Sequence, residues 1–395
     1  MESIRKSNRG RISAISMSVT IFGRMSQTGR ISSPPYVSII ANLPPSVPFV
    51  APEALERRHG QPIRYRLGAN ESAFGVSPRA IDAMRFAAER TNWYGDPESY
   101  DLRAALAQAS HISTDNIVVG NGIDGLLGYI VHAFVEVGTS VVTSLGTYPT
   151  FNYHVVAHGG TLHRVPYHDD RADLQGLLDM ARSTDARLIY LANPDNPSGT
   201  WHKASDIEQF VSQIPDSCML VIDEAYYEFA PGDSTPHLDT DDLNVIRART
   251  FSKAHGMAGA RIGYAIAHSD IISTIGKFRN QFEVARVSQA GALASLADRE
   301  FVRSVIAEVE AGRREYRELA GRLSLSTIAS ATNFVCFDVG GPGRARAVVD
   351  ALLHRGVFIR MPGAPPLDRC VRVTVGTPSE CAEFAEIFSD VMQRI

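Results

Sequence analysis

Between about residue 117 and residue 267, short β-rich runs alternate with longer helical patterns, and this alternation limits the fold more than any other feature of the chain. The runs are Ile117-Val118-Val119, Ser140-Val141-Val142-Thr143, Leu188-Ile189-Tyr190-Leu191, Met219-Leu220-Val221-Ile222, Val245-Ile246-Arg247 and Gly263-Tyr264-Ala265-Ile266. Strands separated by helix-length segments cannot all pair as tight hairpins. They form βαβ units instead, which predicts an α/β fold with a mainly parallel sheet covered by helices. After about residue 280 the pattern changes to a long helical stretch over 301–323, then Asn333-Phe334-Val335-Cys336-Phe337, a helix near 345–355, and Val371-Arg372-Val373-Thr374-Val375. That order predicts a smaller α+β domain at the end of the chain.

A length of 395 residues exceeds the usual single domain, so two domains sharing a cleft are expected. The expected boundaries are a leader over 1–35, an arm and part of the small domain over 36–75, a large domain over 76–280 and a small domain over 281–395. The leader carries Arg5, Lys6, Arg9, Arg11, Arg24 and Arg30 against the single acid Glu2. Its composition is that of an organelle transit peptide or of a disordered leader, and Met17 and Met25 each offer another start. Prolines are dense from Pro34 to Pro48, and Ala51-Pro52-Glu53-Ala54 reads as a helix start with proline in the first turn.

Charge and cysteines narrow the function classes. A net charge of −4 gives no field that would draw nucleic acid or an acidic membrane. Cys218, Cys336, Cys370 and Cys381 show no CxxC pairing and no histidine at zinc spacing, so neither a metal site nor a disulfide framework is expected. No apolar run has the length of a membrane span. A cytoplasmic setting fits these features, with the basic leader leaving organelle targeting open.

Four pieces carry chemistry. In Gly120-Asn121-Gly122-Ile123-Asp124-Gly125, a glycine-rich turn after a strand opens a helix. It presents backbone N–H groups and a positive helix end to a phosphate, although such glycines also serve the turn alone. Asn193-Pro194-Asp195-Asn196-Pro197-Ser198-Gly199-Thr200 breaks the chain at the carboxyl end of a strand, where open α/β sheets place ligands. In Val221-Ile222-Asp223-Glu224-Ala225-Tyr226 an acid ends an apolar strand buried on both faces. It either caps the next helix or faces a protonated nitrogen. The fourth piece, Thr250-Phe251-Ser252-Lys253-Ala254-His255-Gly256, followed by Arg261, sets a lysine among hydroxyls and a guanidinium. Those groups suit a phosphate, and a lysine of lowered pKa there suits imine formation with a carbonyl.

In this order and spacing the four pieces resemble the fold-type I pyridoxal-phosphate aminotransferases of class I/II, in particular the branch containing histidinol-phosphate aminotransferase. The resemblance runs from about residue 45 to the end and includes Asn333-Phe334-Val335 and Val371-Arg372-Val373-Thr374-Val375-Gly376-Thr377. It implies a large domain with a mostly parallel seven-stranded sheet plus a smaller α+β domain, a homodimer, and an enzyme moving an amino group from an amino acid to a 2-oxo acid. It makes Lys253 the lysine that carries pyridoxal 5′-phosphate and moves the substrate proton, and Asp223 the partner of the ring nitrogen. Asn196 and Tyr226 are implied at the ring hydroxyl, and Tyr148 on the ring face, with Phe151 and Tyr153 as alternative registers. Thr250, Ser252, Arg261 and the backbone N–H groups of Ile123 and Asp124 are implied around the phosphate. Arg372 is implied as the clamp for the substrate carboxylate, with Asn70 and Arg360 nearby.

The sequence departs from that branch at Phe74, where a tyrosine is typical, and in the arm at Pro48-Phe49-Val50. Both changes make the substrate end less polar. The expectation is therefore an amino acid with an aromatic or weakly polar side chain rather than histidinol phosphate. A decarboxylase, lyase or cyclase on the same scaffold is the alternative, separable because only transamination needs a second substrate. A third reading, a regulator that senses the cofactor, would need a DNA-binding module ahead of the domain, and the leader has no helix-turn-helix pattern.

Overall fold

The structure, a computed structural model, describes residues 34–43 and 49–395. Of the expected leader, only residues 34 and 35 fall within the described residues. Residues 34–43 belong to a separate unit and carry the short helix Ser38–Ala41. Pro44–Ile395 form one compact unit.

Seven strands make the central sheet: β1 (Ile117–Gly120), β2 (Ser140–Ser144), β3 (Thr161–Val165), β4 (Leu188–Ala192), β5 (Met219–Asp223), β6 (Val245–Thr250) and β7 (Gly263–Ile266), in the order β1-β7-β6-β5-β4-β2-β3. All neighbours are parallel except β7, which runs antiparallel to both β1 and β6. Six of these strands match the runs read from the residues. The seventh, Thr-Leu-His-Arg-Val over β3, escapes an apolar pattern because an edge strand leaves His163 and Arg164 partly in solvent. In β4 and β5 every residue is buried, and the side chains alternate between two cores. Leu188, Tyr190 and Ala192 pack on one face with Leu127, Ile130 and Val131 of the helix Gly122–Phe134. Ile189 and Leu191 pack on the other with Leu177, Leu178, Ile207 and Phe210. The two-residue period of a strand thus becomes two helical layers.

In the last third, β8 (Phe334–Asp338) pairs antiparallel with β9 (Cys370–Thr374) in a register that sets Cys336 opposite Arg372. The helices Arg299–Arg322 and Pro378–Arg394 cover these strands through Tyr316, Phe337, Phe384 and Phe388. Asp298 caps the first helix at Phe301 N, and Thr377 with Glu380 closes a capping box on the second. The two-residue strand Tyr65–Arg66 pairs parallel with Val357–Phe358, joining the arm to this end of the chain. We retain the domain boundaries at 75/76 and 280/281 as a proposal.

The turn after Lys253 runs against the early loop. Gly256 has φ +71, and a Cβ there would lie 1.8 Å from the carbonyl oxygen of Gly75. Backbone against backbone cannot rotate away, so Gly256→Ala is expected to cost about 3 kcal/mol or more. Gly259→Ala, which meets nothing within 4 Å, serves as the control and is expected to stay within about 0.5 kcal/mol in urea melts.

Candidate active site

The carboxyl ends of β4, β5 and β6 open on one cavity of about 990 Å³. Its wall includes Asn70, Ile123, Asp124, Tyr148, Asn196, Asp223, Tyr226, Thr250, Ser252, Lys253, Arg261, Arg360 and Arg372, all of them implied in the site by the sequence. The parallel sheet explains this convergence, since each strand ends on the same side and delivers its loop there.

Lys253 Nζ donates to the carbonyl oxygen of Asn70 at 3.1 Å. Burial, and then the neighbouring Arg372 guanidinium, pull the ammonium down to about 8. Asp223 ends β5 with its Oδ2 accepting from Tyr190 OH at 2.6 Å and its Oδ1 from the Ala225 N–H at 2.9 Å. Burial raises this acid to about 6, against the pull of Tyr190, Ala225 and Lys253. Both bonds come from neutral donors, so the carboxylate lacks the cation that its burial calls for. A protonated ring nitrogen fits that need.

Tyr226 is pushed up to about 12 by burial, so its phenol stays protonated, and its oxygen accepts from Asn70 Nδ2 at 2.9 Å. Tyr148 stands at the start of the helix Pro149–Ala157 and donates to Asp124 Oδ1 at 2.9 Å. Among the alternative registers, Phe151 is fully buried and stacks on Tyr190 at 4.5 Å, a core position, while Tyr153 lies at the cavity mouth, 38% exposed. Of the three, Tyr148 alone is both half-buried and on the wall.

Thr250, Ser252 and Arg261 meet the amino end of the helix Gly122–Phe134. Thr250 Oγ1 donates to Ser252 Oγ at 2.9 Å, and Arg261 Nη2 lies 3.3 Å from Asp124 Oδ2. Gly122 has φ +73, and a Cβ there would come within 2.5 Å of Arg261 Nη2. Hydroxyls, a guanidinium and a helix amino end around a glycine approach are the donor set for a phosphate.

Arg360 and Arg372 face each other across a β-bridge. Arg372 donates to Asn196 Oδ1 and to the Gly68 carbonyl, and Arg360 to the Val50 carbonyl at 2.9 Å beneath the Phe49 ring, 3.9 Å away. Each guanidinium leaves its Nε without a partner. Burial lowers Arg360 to about 10, and Arg372 contributes to that shift. Of the two departures noted in the sequence, Phe49 faces the cavity, whereas Phe74 is off its wall, half-buried against the edge of the core that includes β8 and β9.

Sequence reasoning missed Tyr190, Asn333 and Thr374. Tyr190 read as one more apolar strand residue, yet a buried phenol needs a partner, and that was the available signal. Asn333 Nδ2 donates to the Asn70 carbonyl at 3.1 Å, and Thr374 Oγ1 accepts from the Asn70 N–H at 3.1 Å. Together they hold Asn70 in its left-handed conformation, φ 54. No local signal marks such a long-range pair. Among the described residues, no group of three or more His, Cys, Asp or Glu side chains is placed to hold a metal ion, and no helix is long and apolar enough to cross a membrane.

Comparison with known proteins adds an independent line. Residues 63–388 match the family model for aminotransferase class I and II. Histidinol-phosphate aminotransferase 2 of Carboxydothermus hydrogenoformans is 33% identical over 358 residues, covering 90% of this chain and 98% of its own length. The histidinol-phosphate aminotransferase of Bacillus subtilis is 30% identical over 357 residues, covering 89% and 98%. Among solved structures, histidinol-phosphate aminotransferase from Sinorhizobium meliloti in complex with pyridoxal-5′-phosphate superposes with a TM-score of 0.89 at 46% identity, over 92% of this chain and 100% of that one. Aspartate aminotransferase from Thermus thermophilus with maleate superposes with a TM-score of 0.75 at 20% identity, over 91% and 100%, a likeness of fold.

Proposed function

The chain belongs to the class I and II aminotransferases and is a pyridoxal-phosphate-dependent enzyme, and from that premise we propose a role for each site residue and a class of substrate. When bound, pyridoxal phosphate supplies a protonated pyridine ring that draws electrons from the bond broken at the substrate Cα. Asp223 keeps the proton on the ring nitrogen. Asn196 and Tyr226 orient the ring hydroxyl, Tyr148 covers the ring face, and Thr250, Ser252, Arg261 and the N–H groups of Ile123 and Asp124 grip the phosphate. Lys253 Nζ holds the cofactor and then serves as the base that takes the substrate α-proton. With its pKa near 8, about a tenth of that amine is neutral at pH 7, whereas a solvated lysine would be almost wholly charged.

The amino donor we propose is a primary amine carrying a phosphate monoester, histidinol phosphate being the member named in the relatives, with a 2-oxo acid as acceptor. The observation that carries this reading is the pair Arg360 and Arg372, two adjacent guanidiniums with unpartnered Nε atoms, which suit a dianion better than a single carboxylate. It shifts the emphasis from the aromatic amino acid expected from Phe74 and Phe49, because Phe74 does not line the cavity. A second reading keeps the aromatic amino acid: the Phe49 ring lies over Arg360 and leaves Arg372 as the carboxylate clamp.

A substrate panel separates them. Histidinol phosphate is expected to give the highest kcat/KM, and Arg360→Ala to lower it by about 10- to 100-fold while changing kcat/KM for phenylalanine by less than about threefold. Equal losses for both substrates, or a wild type that prefers phenylalanine, would favour the aromatic reading. A homodimer and a cytoplasmic location are part of the proposal. The exposed aromatics Phe86, Trp93, Tyr94, Tyr100 and Phe282 support the first, since monomers seldom leave such a group to water.

A further inference from the structure

Two buried titratable side chains flank the reacting groups without lining the cavity: His255, two residues after Lys253, and Glu228, two residues after Tyr226. Both side chains are 7% exposed. His255 Nδ1 lies 2.8 Å from Ser295 Oγ, and its Nε2 lies 3.7 Å from Glu228 Oε1. The imidazole rests against Phe251, ring centroids 4.7 Å apart. Glu228 Oε2 is buried without a partner. Charged and titratable neighbours of Glu228 are His255 from the lysine turn, Tyr227 from its own turn, Tyr264 from β7, and Glu224 and Arg249 at β5 and β6. Arg249 is committed elsewhere, with its Nε donating to Glu224 Oε2 at 2.7 Å and its guanidinium 4.1 Å above the Tyr227 ring.

We propose that Glu228 and His255 are positioning residues, a neutral carboxyl-to-imidazole bridge that ties the turn of Tyr226 to the turn of Lys253 and holds both groups against the cofactor. Ser295 Oγ holds the imidazole at Nδ1, and we assign the ring proton to Nδ1, which leaves the Nε2 lone pair facing Glu228. The Glu228 O–H donates to that lone pair. In the structure the two atoms stand 3.7 Å apart, about 1 Å longer than a settled hydrogen bond, so the proposed bridge requires them to approach by that much. Burial favours the neutral form of each partner, pushing Glu228 up to about 8 and His255 down to about 4. An ionised Glu228 would place an unshared charge behind Tyr226 and loosen the bridge. The inference rests on the reading of Lys253 as the cofactor lysine.

The test uses the full chain with Glu228→Gln, which keeps a neutral donor, and Glu228→Ala, which removes it. Its first readout needs no cofactor. An acid whose folded pKa is raised contributes stability below its unfolded value, here 4.5, and loses it as pH rises through the folded value. Melting temperatures of the apo-protein are therefore expected to rise for Glu228→Gln relative to wild type between pH 5 and 8 by a growing margin, with no margin at pH 4. In the loaded enzyme Glu228→Ala is expected to lower kcat by about tenfold at unchanged KM and to move the pH at which the visible cofactor band titrates. Glu228→Gln is expected to restore both to near wild type. The inference is overturned if Glu228→Gln is as impaired as Glu228→Ala, if Glu228→Ala leaves kcat and the band titration unchanged, or if the melting margin does not depend on pH. Failure of the underlying reading looks different: Lys253→Ala would then leave the cofactor band and the activity intact, whatever the Glu228 variants do.

Discussion

Lys253→Ala is expected to abolish transamination, lowering kcat/KM by at least about four orders of magnitude. No other amine takes its place, since the remaining cations on the cavity wall are arginines, whose guanidiniums do not deprotonate. The variant is expected to fold, because the Nζ of Lys253 makes a single hydrogen bond, to the Asn70 carbonyl, which also accepts from Asn333. Circular dichroism and a thermal melt check the fold, and the visible spectrum checks the cofactor. A variant that still shows the wild-type band and turnover would remove Lys253 from its central role.

Asp223→Asn is the second large effect. The amide keeps the shape of the side chain and removes the charge, so a loss of about two to three orders of magnitude in kcat is expected, the scale of removing one preorganised electrostatic partner. Fold stability is expected to hold or improve, because the buried charge is itself costly where its two hydrogen bonds come from neutral donors, Tyr190 OH and the Ala225 N–H. The same geometry gives a pH dependence. Asp223 is raised to about 6 in the free protein, so cofactor affinity of the apo-protein is expected to fall as pH drops below about 6, where the acid takes up its proton. Tyr190→Phe removes a hydrogen bond that favours the carboxylate, and the fall is then expected at higher pH. Isothermal titration with pyridoxal phosphate across pH 5 to 8 measures both; an affinity independent of pH in wild type and variant would rule out Asp223 as the partner of the ring nitrogen.

Much of the site was legible because its residues lie in short, locally odd stretches. A lysine among hydroxyls, an acid ending an apolar strand and paired Asn-Pro units each break the statistics of their surroundings, so Lys253, Asp223 and Asn196 stand out one by one. Asn333, Thr374 and Tyr190 do not. The first two matter only because β8 and β9 come back beside Asn70, more than 260 residues away in the chain, and Tyr190 only because it sits one strand over from Asp223. The edge strand β3 was invisible for the opposite reason: its solvent-facing side chains erase the pattern that marks the other six.

By itself the sequence determined the class of fold, the mostly parallel sheet and a set of residues that line one cavity, because strand–helix alternation forces the carboxyl ends of the strands onto one side. Tertiary structure alone decided which aromatics line the cavity, what neutral partners leave Asp223 wanting a cation, and that half-buried Phe74 stands off the cavity wall while Phe49 closes over Arg360. It also set Glu228 Oε1 3.7 Å from His255 Nε2. These are contacts between segments far apart in the chain, and their geometry depends on how two cores pack against each other rather than on any local run of residues.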